Sequence, residues 1–353
     1  MDDHFATFTM SSREVHRLRR LFEPYELLAG RAIYQLDGAG MPQQHELPAK
    51  NTLHSATYAK KAGMSLPPPA NDQSYWEVSA IDAGHVHMLL SQLVDTAKEG
   101  EMVDLPVLSF VLRHSRTGEV ILFDLGIRPD TEAYTGARAL ADTMNITFQG
   151  RDIPTALERG GVPRANVKHV VISHIHFDHA GHPRAFPNAQ FIIGGVARKV
   201  IEEQGPDYPG TFYSIDVPSE RVLYLRPEEP TGRGWAPLGP FPHALDFFGD
   251  GSLYVVDAPG HVPGHICVMA RTSADGAWVC LAGDGAHDWR HLTGEAGIGH
   301  NPVCMHLDLS SALENIARLK AVRDIPRVRV LLAHDVPFVQ EGKGYWPEKI
   351  ASL

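Results

Sequence analysis

Apolar and polar positions follow one another irregularly over residues 1–74 and settle into short strand-like runs from Trp76 onward. In the first stretch, Ser11 and Glu14 have the spacing of a capping box, and Val15, Leu18 and Leu21 follow at helical intervals, which predicts a helix there. Gly38 to Pro42 and Leu66-Pro67-Pro68-Pro69 then punctuate the chain. With so little periodicity, residues 1–74 are expected to be an extension that caps or wraps the main domain, covering an edge strand or walling a pocket.

Residues 75–353 are expected to form that main domain, which is long enough to bury a large core. Val78 to Ala83 and Val107 to Leu112 read as strands, Arg113 to Gly118 as a turn, and Val120-Ile121-Leu122-Phe123 as a hairpin partner. Ile153 to Arg159 predicts a short helix. His169-Val170-Val171-Ile172-Ser173 predicts a buried strand because its apolar run is β-branched. Further strands are predicted at Gln190 to Ile193, Leu253 to Val256, Ile266 to Ala270, Trp278 to Ala282 and Val328 to Ala333. Ser310 to Arg323 predicts an amphipathic helix, with Leu313, Ile316, Ala317 and Lys320 at helical spacing. Strands dominate early and helices punctuate them later, so the expected fold class is α+β, two sheets with helices packed outside, rather than a doubly wound parallel sheet. Residues 205–248, with Pro206, Tyr208, Pro209, Phe212, Tyr213, Trp235, Phe241, Phe247 and Phe248, read as an insertion. It would be either the wall of an apolar pocket or a packed surface excursion.

Charge narrows the partners. A formal net charge of −10 argues against a surface that tracks nucleic-acid phosphates. The densest basic run, Arg13, His16, Arg17, Arg19 and Arg20, is explained by a solvated helix face. Three cysteines, Cys267, Cys280 and Cys304, are too few for a disulfide framework and suggest a reducing compartment. The start, Met-Asp-Asp-His-Phe, does not have the form of a secretory signal, and no apolar run approaches the roughly 20 residues that span a bilayer. A cytoplasmic protein without membrane insertion is therefore expected, with a homodimer left open.

The strongest chemical signal is Ser173-His174-Ile175-His176-Phe177-Asp178-His179-Ala180-Gly181. His174, His176 and Asp178 stand at alternate positions after a strand, so an extended backbone aims them to one side, and His179 follows as the chain turns. Burying these groups is costly without a metal or dense hydrogen bonding. Solvated loop histidines are the alternative. Asp257-Ala258-Pro259-Gly260-His261-Val262-Pro263-Gly264-His265 adds a repeated Pro-Gly-His; His265, entering a strand, is the expected ligand, and His261 is expected to support the site or remain a loop residue, although spacing alone does not exclude it as a ligand. Gly283-Asp284-Gly285 places a carboxylate able to bridge two cations after an apolar strand, though such a tripeptide is also common in turns. Leu331-Leu332-Ala333-His334-Asp335 places another histidine at a strand end, where a core histidine is the plain alternative.

From Trp76 to Pro337 the chain resembles the metallo-β-lactamase superfamily, and within it the N-acyl-homoserine lactone lactonases. The likeness is carried by Pro106 to Phe110, Leu122-Phe123-Asp124-Leu125-Gly126 with Arg128-Pro129-Asp130, the His174 to Gly181 motif, the second Pro-Gly-His, Gly283-Asp284 and Ala333-His334-Asp335. The resemblance implies an αββα sandwich with two divalent metal ions, usually zinc, at one edge. It assigns His174, His176 and His265 to one ion, Asp178, His179 and His334 to the other, and Asp284 as the bridge. Imidazole and carboxylate also suit cobalt, iron or manganese.

The function implied is that of a metal-dependent hydrolase that opens a lactone or ester by attack of a hydroxide bridging the two metals, with Asp178 holding the ion that receives the leaving alkoxide. The resembling lactonases carry a tyrosine three residues after the bridging aspartate. Here that position is His287, which could donate the same hydrogen bond or signal another substrate. Lipophilic lactones such as N-acyl-homoserine lactones are the expected substrates. A thioesterase, another carboxylic-ester hydrolase and a non-catalytic binding protein of the same fold are the alternatives.

Overall fold

A computed structural model describes residues 65–134, 137–147, 152–204, 212–228 and 234–353; the helix expected near residues 11–21 lies outside them. Its strands build two six-stranded sheets. In the first, β1 (Trp76–Leu89), β2 (Met102–His114), β3 (Val120–Phe123), β4 (Val167–Ile172), β5 (Gln190–Gly194) and β6 (Val222–Leu225) stand side by side in chain order. β1, β2 and β3 are antiparallel, and β3 to β6 run parallel. The second sheet has the order β12 (Val328–Leu331), β11 (Trp278–Leu281), β10 (Ile266–Arg271), β9 (Leu253–Asp257), β8 (Phe241–Asp246) and β7 (Ala236–Leu238). There only β11 and β12 are parallel.

Because both faces of each sheet are covered, strand residues are apolar on both sides and the runs look continuous in sequence. Ile121, Phe123, Val171, Val268, Val279 and Leu281 fill the core between the sheets. Their strand neighbours Leu122, Val170 and Ile172 point the other way, into a core shared with Leu157 and Phe177. Cys267, Met269 and Cys280 face a third core under the helix Leu309–Arg323. Three cores separate four layers, and the fold is an αββα sandwich.

The structure corrects two expectations. The helix Leu309–Arg323 buries Ala312, Ile316, Leu319 and Val322, while Leu313 is exposed. Its apolar stripe is thus one residue out of phase with the predicted one, because the face that is buried is the one that packs on Cys267, Met269 and Cys280 of the second sheet. Residues 205–248 are also not a simple insertion. Their described part supplies β6 and β7, the edge strands of the two sheets, and β8, which pairs with both β7 and β9.

Residues 65–74 lie against the second sheet, where the Arg271 guanidinium donates to Pro67 and Pro68 carbonyls at 2.8 and 3.0 Å. The edge of β1 is covered by the carboxyl-terminal segment: Trp346 and Ile350 N–H groups donate to Ala80 and Val78 at 2.8 and 2.7 Å. Such cover removes a free edge that could pair with another chain. No helix among the described residues is long and apolar enough to cross a membrane.

Candidate metal centre

β4 ends at Ile172, and the chain crosses one edge of the sandwich as Ser173 to Gly181. Residues 212–214 pin this crossing: Phe177 N–H donates to the Phe212 carbonyl at 2.8 Å and Ser214 N–H to Ile175 at 3.1 Å. Asp178 and His179 sit on the single helical turn Phe177–Ala180. Asp284 arrives after β11 and His334 after β12, so neighbouring parallel strands deliver both to the same edge. Gly283 has φ +53°, and a Cβ there would lie 2.8 Å from Ser173 Cβ, so the approach of Asp284 to the β4 loop requires glycine.

The side chains converge on the two oxygens of Asp284, which is 3% exposed. Around Oδ2, His174 Nε2 stands at 3.8 Å and His261 Nε2 at 3.4 Å. His261 Nε2 is in turn 3.2 Å from His174 Nε2 and 3.1 Å from His176 Nδ1. Around Oδ1, His179 Nε2 and His334 Nε2 each stand at 3.4 Å, with Asp178 Oδ2 3.6 and 3.7 Å from those nitrogens. The donors therefore form two groups, His174, His176, His261 and Asp284 on one side and Asp178, His179 and His334 on the other.

These spacings fit cations better than hydrogen bonds. Tetrahedral ligands about 2.0 Å from zinc are roughly 3.3 Å apart, close to the distances here, whereas good N–H···O bonds are nearer about 2.9 Å. His179 Nε2 and Asp284 Oδ1 are buried without a hydrogen-bond partner among the described residues. On His334, His179 and His174 the nitrogens facing away are satisfied. His334 Nδ1–H donates to the Pro106 carbonyl at 2.8 Å, His179 Nδ1–H to Asp124 Oδ2 at 2.9 Å, and His174 Nδ1 lies 3.0 Å from Ser173 Oγ. Such outer bonds set the tautomer that turns a lone pair inward. Burial, reinforced by neighbouring imidazoles, holds His174 and His261 well below the usual imidazole range, in the neutral form that binds metals. Burial raises the Asp284 carboxyl, but His179, His334 and His287 outweigh it and hold it well below the usual carboxylate range. The arrangement is that of a dinuclear metal site, in which these two groups of donors would hold the ions and Asp284 would stand between them.

One sequence assignment disagrees with this geometry. His265 is buried beside the site, yet both its nitrogens are used: Nδ1–H donates to the Ala258 carbonyl at 2.9 Å, and Nε2 accepts Asp284 N–H at 3.1 Å. With no lone pair left for a cation, it positions the Asp284 backbone, and His261 occupies the place expected for it. Gly260 makes this possible: its φ is +132°, and a Cβ would come 2.3 Å from Ala312 N, so only glycine lets the His261 turn pack on that helix. Chain order carries a cue, since His174, Asp284 and His334 all follow their strands, as His261 follows β9, while His265 precedes β10. Asp124 belongs to the resembling motif but has no role legible from its spacing. At φ +62° it accepts from Ser173 N–H, Ser173 Oγ–H and His179, fastening β3 to the metal loop. His306, 3% exposed beside His287, has no spacing signal at all.

A small cavity of about 20 Å³ opens onto the centre, room for roughly one water. Val86, Met88, Leu93, Met144, Phe212 and Met305 give it an apolar wall, while Asp178, Asp284, His287 and His334 form its floor. His287 Nε2 lies 3.2 Å from Asp284 Oδ2.

A family model described as the metallo-beta-lactamase superfamily matches residues 102–284, just over half of the 353-residue chain. The chain belongs to that superfamily. It is 34% identical over 236 residues to metallo-hydrolase mfmC of Annulohypoxylon moriforme, covering 63% of this chain and 60% of that protein. It spans still less of other relatives, 37% in one case. An N-acyl homoserine lactonase from Bacillus sp is 25% identical over 276 residues, 76% of this chain and 97% of that one. A solved structure of an N-acyl homoserine lactone hydrolase, with the product N-hexanoyl-L-homoserine at its catalytic metal center, superposes with a TM-score of 0.59 at 21% identity. That comparison covers 78% of this chain and 99% of the other.

Proposed function

We propose that this protein is a metal-dependent hydrolase that opens lactones or related carboxylic esters carrying an apolar acyl group. The observation that carries this reading is the meeting of a two-cation donor set with an apolar cavity on one side chain, Asp284. When bound, a pair of divalent cations such as zinc lowers the pKa of water and polarises a carbonyl oxygen. His174, His176 and His261 would hold one cation and Asp178, His179 and His334 the other, with Asp284 between them.

The chain's own groups do the rest. His287 lines the cavity floor, where Nε2–H can donate to the oxygen of a substrate carbonyl as charge develops on it. The apolar wall excludes bulk water and accepts an acyl chain. Met88, Met144 and Met305 are unbranched, and rotamer changes in them would enlarge the cavity beyond the one water it now fits. The lactonase relative supports a cyclic ester as substrate, and the lack of a cationic cluster among the described residues of this wall speaks against a large anionic thioester.

Ring opening of a long-chain N-acyl-homoserine lactone by zinc-loaded protein, followed by proton release, tests the proposal. We expect turnover that Asp178→Asn largely abolishes. Absence of turnover by protein shown to contain two ions, over lactones and simple esters alike, would refute it.

A further inference from the structure

Beside the dinuclear centre lies a second group of buried imidazoles. His261, His287 and His306 each offer a ring nitrogen within 4.8 Å of the others, and their exposures are 2%, 4% and 3%. His261 Nδ1, His287 Nδ1 and both ring nitrogens of His306 have no hydrogen-bond partner among the described residues. A metal-bound imidazole ordinarily gives its other nitrogen to a carbonyl, hydroxyl or carboxylate, as His179 and His334 do here. His261 has no such acceptor among the described residues. The rings packed on it from this side are His287 at 4.7 Å and His306 at 5.2 Å between centroids, and those two are 4.5 Å apart. Each buried polar group left unpaired costs energy, so a cluster of four such nitrogens calls for a shared partner.

We propose that His287 and His306, with His261 as the third donor, form a further cation position adjoining the dinuclear centre, suited to a late first-row divalent ion such as zinc, cobalt or nickel. Three imidazoles favour these ions over magnesium or calcium, whose sites are built from oxygens. The backbone ties the two segments together, since Leu307 N–H donates to the His261 carbonyl at 2.8 Å and Asp308 N–H to Gly260 at 3.0 Å. His261 directs Nε2 to the first position, so its unpartnered Nδ1 is the donor left for the further ion. The ring then bridges both positions, and its proton leaves to solvent when the ion binds. Coordination through Nδ1 also keeps the hydrogen of His287 on Nε2, the nitrogen nearest Asp284; this last consequence rests on the hydrolase reading, while the cation position itself does not.

Equilibrium dialysis of metal-free full-length chain against zinc, with ions counted by mass spectrometry, tests this on wild type, His306→Ala, His306→Gln and His287→Phe. Circular dichroism establishes which variants are folded. We expect wild type to bind one equivalent more than each folded variant, and cobalt to show an additional visible band at the last equivalent in wild type alone. Saturation of wild type at two equivalents overturns the proposal. Equal counts in wild type and variants also overturn it, by placing any additional ion elsewhere. Two equivalents with intact hydrolysis removes only this position, whereas a third equivalent without hydrolysis removes only the proposed activity.

Discussion

Replacing His265 by alanine should cost the metal-free protein far more stability than replacing His261 by alanine, although only the second change removes a ligand. Both imidazoles are buried, so the two substitutions delete the same atoms and leave comparable cavities. They differ in what is left behind. Without His265, the Ala258 carbonyl and the Asp284 N–H lose their partners in a buried site. At about 1–3 kcal/mol for each stranded group, the difference is roughly 2–6 kcal/mol. His261 bonds no backbone group of the described residues: its Nδ1 has no partner there, and its Nε2 stands among side chains of the site itself, 3.2 Å from His174 Nε2, 3.1 Å from His176 Nδ1 and 3.4 Å from Asp284 Oδ2. Urea unfolding of metal-free protein would measure the stability gap, and mass spectrometry of the metal-loaded variants would count ions. His261→Ala should lose at least one equivalent with near-normal metal-free stability, whereas His265→Ala should be strongly destabilised yet keep a full ligand set. Its metal affinity should fall only about 10–100-fold, as expected when a supporting group is lost. The reverse pattern would return His265 to the ligand shell and exclude His261 from it.

Asp124→Asn turns an amide N–H toward at least one of the three donors on Ser173 and His179, because the amide has one acceptor oxygen. Metal affinity at the Asp178, His179 and His334 position should fall about 10–100-fold in a zinc competition titration, and an unchanged titration would remove Asp124 from the site. Gly283→Ala should destabilise the fold by about 2 kcal/mol or more in thermal unfolding, because it adds a left-handed penalty to a 2.8 Å contact with Ser173. His291, bonded to the Leu93 carbonyl, is pushed down by burial to about 4. Since the unfolded chain takes up that proton first, wild type should lose up to about 3 kcal/mol of stability as pH falls from about 6.5 towards 4. His291→Gln should flatten that part of the metal-free stability profile, and an identical profile would show that other groups dominate it.

The sandwich, and six of the seven residues proposed as its metal ligands, could be picked out along the chain because the relevant information is local. β4 shows as a β-branched run, and the residues after it carry the histidines at alternate spacing, so fold and site announce themselves together. β6 and β7, of four and three residues, escaped notice because runs that short carry no periodicity of their own and are held by their neighbours. The stripe on Leu309–Arg323 falls one residue away from its expected place because rotation about a helix axis is set by packing, which residue spacing alone leaves open.

Residue order was enough to show that groups of metal-binding chemistry cluster at strand ends; the two-cation centre and the αββα fold came from the resemblance to the metallo-β-lactamase superfamily. Residue order could not tell which nitrogen of which histidine has a lone pair left to give; that emerged only from the packed chain. Two Pro-Gly-His triplets in one turn are equivalent as strings, but the backbone of Ala258 and Asp284 consumes both nitrogens of His265 and none of those of His261. His306, far along the chain from either motif, meets His261 only because Leu307 and Asp308 pair with the His261 turn. Ligand choice depends on such long-range hydrogen bonds, and these form only when distant segments are folded against one another.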